Sequence, residues 1–187
     1  PVNAAIKERV HTIAKENGFH SIIPPLKSVG VQGDNRTYQH PAILIGKRDW
    51  STLEAASTRI TNEVREINRV TYLCAGALVP RTRKGFLSKE RLDVLRQADA
   101  IVEKHLREMG LYDSVWQFPV VLAPIECEGG EAIILRPVYS TEAMTARFAD
   151  LPFSFVEKVS KELMQLNGVG AVLYDVTHKP PGTIEWE

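Results

Sequence analysis

The sequence predicts an α+β fold in which two related β-β-α-β lobes are joined by a connector helix and preceded by an N-terminal helix. Two observations support this class. Four segments place apolar residues at helical spacing, and six have the apolar, β-branched composition of strands. Their order along the chain is α β β α β α β β α β. Because helices and strands do not alternate strictly, a doubly wound parallel sheet is disfavoured.

Each predicted helix has a candidate residue at its N-terminus. Asn3 and Ser88 each precede an apolar-periodic stretch that ends near a glycine. Ser51 and Ser154 each have a glutamate three residues later, and this spacing predicts capping boxes at the second and fourth helices.

The six predicted strands lie between these helices and contain a weak internal repeat. They cover residues 29–32, 41–45, 70–75, 115–123, 132–139 and 169–176. In each half a helix runs into an asparagine and a tyrosine-containing strand, and the preceding strands carry Arg36 and Arg136, which favours a duplication. We therefore divide the chain into four segments: an N-terminal helix (1–25), a first lobe (26–80), a connector loop and helix (81–114) and a second lobe (115–187).

Composition and charge limit the possible functions. Of the 187 residues, 44% are hydrophobic and 25% charged, and the formal net charge is zero. Zero net charge disfavours a nucleic-acid binder, which needs a basic excess, and no apolar run approaches the length of a membrane span. Residues 1–16 are amphipathic rather than signal-peptide-like. Cys74 and Cys127 are expected to pack as core residues rather than to form a disulfide. We expect a cytoplasmic protein without nucleic-acid or membrane partners.

Two loop segments could bind an anion. Residues 30–38 form a glycine-punctuated turn in which Arg36 could grip a phosphate, or could brace the turn by pairing with Asp34. Residues 179–187, Lys-Pro-Pro-Gly-Thr-Ile-Glu-Trp-Glu, combine a single cation, Lys179, with a rigid turn and a tryptophan. This segment could place the lysine on a phosphate or carboxylate, or could be a docked strand with a solvated lysine.

Familiar catalytic and metal-binding patterns are absent from the sequence. There is no triphosphate-binding Gly-Lys-Ser/Thr loop, no paired-cysteine or His-Glu-x-x-His metal pattern, and no setting for a nucleophilic cysteine. Gln117 could hydrogen-bond a base edge, although a lone glutamine is a weak signal. The basic loop at 80–85 is expected to be solvated. The residues alone predict a soluble module that binds a phosphorylated small molecule.

Two long motifs resemble the C-terminal domain of glutamine-hydrolysing GMP synthase. The first is Val-Gly-Val-Gln-Gly-Asp-Asn-Arg-Thr-Tyr (29–38), and the second joins Tyr-Asp at 174–175 to the segment 179–187. Shorter matches at 68–72, 95–99 and 117–120 resemble the longer, two-lobed form of that domain. The shorter form has one lobe and lacks the stretch from about Gly46 to Gly130. The resemblance covers nearly the whole chain from about Leu26.

The resemblance implies a share in making GMP from xanthosine 5′-monophosphate (XMP), ATP and glutamine. In that family a glutaminase domain releases ammonia. An ATP-pyrophosphatase domain uses ATP and Mg²⁺ to adenylate the xanthine oxygen, and ammonia then displaces AMP. The signatures of both domains are absent here, so we expect no catalytic residue and no cofactor on this chain. The C-terminal domain supplies subunit association and part of the XMP site.

Five residues are carried over by motif as XMP-binding residues. Arg36 and Lys179 would hold the phosphate, and Gln117, Ile184 and Glu185 would lie along the nucleotide. Expected partners are XMP or GMP and the ATP-pyrophosphatase and glutaminase domains or subunits, and a homodimer is left open. Two accounts stay open: a fragment or separate subunit of the synthase, and a stand-alone, non-catalytic nucleotide-binding or dimerisation module.

Overall fold

The computed structural model describes residues 2–33 and 35–186. The helices in this part of the chain are α1 (Ala4–Glu16), α2 (Trp50–Glu63), α3 (Lys89–Glu108) and α4 (Phe153–Leu163). The strands are β1 (Phe19–Ile22), β2 (Ser28–Gln32), β3 (Asn35–Gly46), β4 (Ile67–Gly76), β5 (Leu78–Thr82), β6 (Val120–Cys127), β7 (Gly130–Leu135), β8 (Val138–Tyr139), β9 (Arg147–Phe148) and β10 (Gly168–Asp175). A short 3-10 turn, Tyr112–Ser114, follows α3.

Eight strands form one mixed sheet that runs through both lobes. Its order is β1-β3-β4-β10-β7-β6-β5, and β2 pairs with the first half of β3. In each lobe the strands on either side of the helix are parallel, β3 with β4 and β7 with β10. At the centre β4 and β10 are antiparallel, with Tyr72 opposite Tyr174. The predicted α+β class, with β-β-α-β lobes and an N-terminal helix, is confirmed. The boundaries drawn between the four segments stay a prediction.

The four helices pack on one face of this sheet. Their buried apolar residues join alternate strand residues in a single core cluster, as in β7, where Ile133 and Leu135 belong to it. The intervening residues Ala132 and Ile134 point to the opposite face and join a second cluster that includes Trp186. This alternation is what a strand buried on both faces requires. The chain end therefore packs on the sheet face away from the helices.

Two of the four predicted helix caps are confirmed. The Asn3 side chain accepts a hydrogen bond from the Ala5 N–H at 2.9 Å, and Ser88 Oγ accepts from the Arg91 N–H at 3.3 Å. α3 ends next to Gly110, whose φ of 66° lies in the left-handed region that glycine tolerates best.

The other two caps were placed wrongly. α2 begins earlier than predicted, because Asp49 is its N-cap and accepts from the Ser51 N–H at 3.1 Å and the Thr52 hydroxyl at 2.6 Å. α4 follows Pro152 with no side-chain cap, and Ser154 lies inside the helix. Proline fixes φ near the value that a helix start needs, so this helix begins without a side-chain acceptor.

Strand boundaries differ from the predictions where prolines interrupt the pairing. The strand expected over 115–123 begins only at Val120, after Pro119, and the expected 132–139 strand is divided by Pro137 into β7 and β8. β1, β5 and β9, which have four, five and two residues, were not predicted. Both cysteines are free, as predicted. None of the described helices is both long and apolar enough to cross a membrane.

Candidate functional site

Residues 177–186, which we call the tail, are docked along the end of the central strands. The Thr177 hydroxyl accepts from the Val70 N–H at 2.7 Å and donates to the Val70 carbonyl at 3.0 Å. Lys179 and Ala146 exchange two backbone hydrogen bonds, at 2.8 and 3.1 Å. Trp186 is only 8% exposed. The chain end is therefore docked on the rest of the molecule, up to residue 186.

The tail also lies against the β2–β3 hairpin of the first lobe. The Val31 N–H donates to the Pro181 carbonyl at 2.8 Å, and Gly30 pairs with Gly182. A Cβ on Gly30 would lie 2.6 Å from the Pro181 carbonyl oxygen and 2.7 Å from Asn68 Nδ2. Only glycine allows this close backbone approach. The glycine motif at 29–33 therefore brings the hairpin and the tail together.

A cluster of three charged side chains, the buried clasp, lies between the two lobes and the tail. It consists of Arg69, Arg136 and Asp175, whose side chains are all 0% exposed. Arg69 Nη1 donates to Asp175 Oδ2 at 3.0 Å, and Arg136 Nη1 donates to Asp175 Oδ1 at 3.2 Å. Two guanidinium groups share one carboxylate, so the clasp carries an excess positive charge.

The clasp contacts three residues of the tail: Thr177, Thr183 and Trp186. Trp186 Nε1 donates to Asp175 Oδ2 at 2.7 Å, and Arg69 lies over the Trp186 ring with its Cζ 4.7 Å from the ring centroid. Arg69 also donates to the Thr183 hydroxyl, while Arg136 donates to the Thr183 carbonyl at 3.2 Å and to the Thr177 carbonyl. The Thr177 N–H donates a hydrogen bond to Asp175 Oδ1 at 2.9 Å.

The protonation states follow from these contacts. Burial acts to raise the pKa of Asp175, but Arg136 and Arg69 outweigh it and leave that pKa below its ordinary value. Burial lowers the pKa of Arg69 to about 10 and also lowers the pKa of Arg136. At neutral pH the carboxylate is therefore ionised between two guanidinium cations.

The clasp corrects one reading of the repeat. Arg36 and Arg136 were matched as equivalent residues, but Arg36 is exposed near the start of β3, and Arg136 is buried just after the end of β7. The buried arginine of the first lobe is Arg69, near the start of β4. The two lobes therefore place their buried arginines at different points of the repeat.

Lys179 and Ile184, two of the predicted binding residues, lie on the tail beside the same segment. The Lys179 ammonium is half-buried and donates to the Ala143 carbonyl at 2.6 Å. Ile184, 9% exposed, packs with Val138 and Ala146 in a small apolar cluster. The structure thus brings these two residues together around the chain segment 138–146.

The other predicted binding residues lie around this centre. Glu185 is exposed between two buried tail residues, and Arg36 is exposed on β3, opposite Val31, which itself bonds to the tail. The proposed partner of Arg36, Asp34, lies outside the described residues. Gln117 pairs through its backbone with Val138, and it borders a cavity of about 410 Å³ whose walls include α3. The binding roles of all five residues stay predictions.

A larger cavity, about 770 Å³, opens beside the tail. Trp116, Tyr139, Arg147 and His178 contribute to its walls. His178 Nε2 lies 2.9 Å from Glu54 Oε1, and Arg147 donates to both carboxylate oxygens of Glu54 at 3.1 Å. Burial lowers the pKa of His178 despite the neighbouring Glu54. The Phe148 N–H points at His178 Nδ1 at 3.4 Å, which favours a neutral imidazole protonated on Nε2.

Sequence reasoning missed the buried clasp. Arg69 and Asp175 lay within the matched motifs but were given no role, and Arg136 was used only as evidence for the repeat. One signal was available: Arg136 and Asp175 each directly follow an apolar strand run, where a charged residue that is buried needs an opposite charge. Their partners lie 39 and 106 residues away, so the pairing itself could not be read from the sequence.

Comparison with known proteins assigns the family. A family model described as GMP synthase C terminal domain matches residues 8–77 and 104–186. A probable GMP synthase (glutamine-hydrolyzing) of Leptospira interrogans serovar Lai is 40% identical over 181 residues, covering 94% of this chain and 30% of the relative. The GMP synthase (glutamine-hydrolyzing) of Chlorobaculum tepidum is 45% identical over 183 residues, covering 87% of this chain and 36% of the relative.

Other relatives match over a shorter stretch. GMP synthase (glutamine-hydrolyzing) 1 of Bacteroides thetaiotaomicron is 43% identical over 112 residues, covering 55% of this chain and 22% of the relative. The chain thus spans about a third or less of the length of these three relatives. Because the family model matches most of the chain, including both central strands β4 and β10, the chain belongs to the GMP synthase C-terminal domain family.

Proposed function

We propose that this chain is the part of a glutamine-hydrolysing GMP synthase that holds the phosphate end of XMP and associates subunits. Arg36 and Lys179 are the phosphate-binding residues, and Gln117, Ile184 and Glu185 lie along the nucleotide. Release of ammonia from glutamine, and adenylation of XMP by ATP with Mg²⁺, belong to partner domains. The contribution of this chain is therefore binding and orientation of the substrate.

The position of Lys179 is the observation that carries this proposal. Two backbone hydrogen bonds to Ala146 fix the residue on a docked tail. Its ammonium is half-buried, and its one hydrogen-bond acceptor among the described residues is the Ala143 carbonyl. Ala143 has a φ of 61°, a left-handed conformation that is costly for a residue with a Cβ and is found preferentially at functional sites. A phosphate oxygen is a stronger acceptor for an ammonium than a neutral carbonyl. XMP binding would exchange one acceptor for the other.

We infer the orientation of the nucleotide from the pairing of the tail with the β2–β3 hairpin. Arg36 is on the hairpin that bonds to Pro181, so it can approach the phosphate from the first lobe while Lys179 approaches from the second. Glu185 is exposed and can accept hydrogen bonds from ribose or base donors. Such positioning lowers the entropy lost when ammonia attacks the adenylated base in the partner domain.

The test is XMP dependence in the complete synthase. Lys179→Ala and Arg36→Ala should each raise the KM for XMP roughly tenfold or more, since each loses a charge-assisted hydrogen bond of about 1.5–3 kcal/mol. The KM values for ATP and glutamine should change little. Lys84→Ala, which removes an exposed lysine of the basic loop, is the matched control and should leave the KM for XMP unchanged.

Calorimetry on the complete enzyme decides the outcome. Equal XMP affinity in Lys179→Ala and parent would refute the proposed phosphate role, and would leave Lys179 as a structural residue that fastens the 140–145 loop. Equal affinity in Arg36→Ala would leave that arginine as a brace of the turn.

The stand-alone alternative needs a separate measurement. The chain by itself should form no GMP from XMP, ATP–Mg²⁺ and glutamine, because it lacks both catalytic signatures. Binding of XMP or GMP to the isolated chain, combined with a concentration-dependent dimer in sedimentation experiments, would favour a nucleotide-binding or dimerisation module. Formation of GMP above a blank would refute both accounts.

A further inference from the structure

We propose that Arg69, Arg136 and Asp175 are positioning residues: the buried clasp sets the place of the tail, and thereby of Lys179, Ile184 and Glu185. None of the three is a predicted nucleotide contact. The inference rests on the proposed function, since it deepens the role of the same site.

The first step is that the clasp belongs to both lobes and to no single element. Arg69 comes from β4 in the first lobe, Asp175 from β10 in the second, and Arg136 from the turn after β7. The two arginines therefore meet only when the central strands β4, β10 and β7 are correctly paired. A tail held by the clasp therefore has a fixed position relative to both lobes.

The second step is that most of the outward bonds of the clasp go to the tail. Both arginines donate to Thr183, one to its hydroxyl and the other to its carbonyl. Trp186 is bonded to Asp175 on the far side. Ile184 and Glu185 lie between these two anchored residues, so the clasp fixes both neighbours of the residues that are proposed to face XMP.

The third step is the charge balance. Two buried guanidinium groups face one carboxylate, and Nε of each arginine has no hydrogen-bond partner among the described residues. A cluster built only for stability would be expected to balance its charges, because an uncompensated buried charge is costly. Removing one arginine should leave a balanced pair. Substituting Arg136 therefore separates tail position from folding better than substituting Asp175.

The experiment compares Arg136→Met with Arg91→Met. Arg91 is a matched control: it is partly exposed, its Nε lies 2.8 Å from the buried carboxylate of Glu131, and it makes no hydrogen bond to the tail among the described residues. Hydrogen exchange of the intact chain should show tail amides at 177–186 exchanging at least about tenfold faster in Arg136→Met, since the tail loses its charge-assisted bonds. Exchange in α2 and α4, and the melting temperature, should stay close to the parent values.

A milder pair of variants keeps the clasp whole. Thr183→Val removes the hydroxyl that Arg69 donates to, and Thr183→Ser retains it. Thr183→Val should speed tail exchange, and Thr183→Ser should restore the parent rate. Unchanged tail exchange in both Arg136→Met and Thr183→Val would overturn the inference. So would an equal rise in exchange across β4, β10 and the tail, because the clasp would then only hold the fold.

A measurement of XMP binding distinguishes this inference from the proposed function. In the complete synthase, Arg136→Met should raise the Kd for XMP about tenfold by disordering the tail, and leave the KM for ATP unchanged. If Lys179→Ala weakens XMP binding but Arg136→Met does not, the clasp role fails and the proposed function stands. If neither variant changes the Kd, both are refuted.

Discussion

The two lobes have the same order of elements but different relations to the tail. Each has a hairpin, a helix and a strand that returns parallel to its neighbour. The tail is the C-terminal end of the second-lobe segment, yet it pairs with the first-lobe hairpin at Val31 and Gly30. In the second lobe it pairs with Ala146 instead.

This difference shows that two lobes with the same order of elements can have different surroundings. A two-fold arrangement of lobes would offer two equivalent grooves, but one chain has one tail. The tail crosses the junction of the lobes, where Asp175 is shared by Arg69 and Arg136. Equivalent positions in the two lobes are then free to take different roles.

The largest effect is expected from removing the shared carboxylate. Asp175→Asn leaves two buried guanidinium groups without an anion, and it should lower the free energy of unfolding by roughly 3–5 kcal/mol. Urea unfolding measures this loss. The control is Asp150→Asn, where the carboxylate is exposed and 3.9 Å from Arg147, and where the change should stay within about 0.5 kcal/mol. Equal losses in the two variants would mean that the junction of the lobes is not held by charge.

The close approach of hairpin and tail gives the next prediction. Gly30→Ala places a methyl group 2.6 Å from the Pro181 carbonyl, so the tail must move away from the first lobe. The cost should be roughly 1–3 kcal/mol, as for other overpacked sites. Gly85→Ala is the control, because there the added methyl meets only the end of the Arg91 side chain, at 3.1 Å. Thermal melting that shows no difference between the two would refute the close packing.

The helix starts of the two lobes should respond differently to loss of a polar side chain. Asp49→Ala removes the cap of α2 and should cost about 1 kcal/mol. Ser154 lies inside α4 and Ser51 lies inside α2. The free energy of unfolding of Ser154→Ala and of Ser51→Ala should therefore stay within about 0.5 kcal/mol of the parent value. A larger loss in Ser154→Ala than in Asp49→Ala, measured by urea unfolding, would restore the capping box predicted from the sequence.

The smallest effect is a pH dependence that comes from His178. Its folded-state pKa is lowered chiefly by burial, so the unfolded chain binds a proton more readily. Stability is therefore full above about pH 6.5, the ordinary value for histidine, and decreases as the pH falls through that value towards the folded-state pKa. His178→Gln should flatten this part of the stability–pH curve, whereas His20→Gln, at an exposed position, should retain it. An unchanged slope in His178→Gln would contradict the assignment.

Local sequence patterns predicted much of the fold. The apolar periodicity of α1 and α3 and their caps at Asn3 and Ser88 are properties of short segments, and they appear in the structure as expected. Ser51 and Ser154 misled because a capping box is a common spacing, and Asp49 or Pro152 can start a helix equally well. Strands as short as β9 carry too few residues to show a period.

The sequence by itself determined the fold class, the family and a rigid turn near the chain end, because each depends on patterns or motifs carried by short segments. Only the tertiary structure decided that Arg69, Arg136 and Asp175 form one buried cluster and that Trp186 completes it. The physical reason is that a buried charge must find its partner in space, and here the partners are up to 106 residues apart. Arg36 and Lys179 are even farther apart in sequence, 143 residues (179 − 36), so whether both meet one phosphate depends on the docking of the tail.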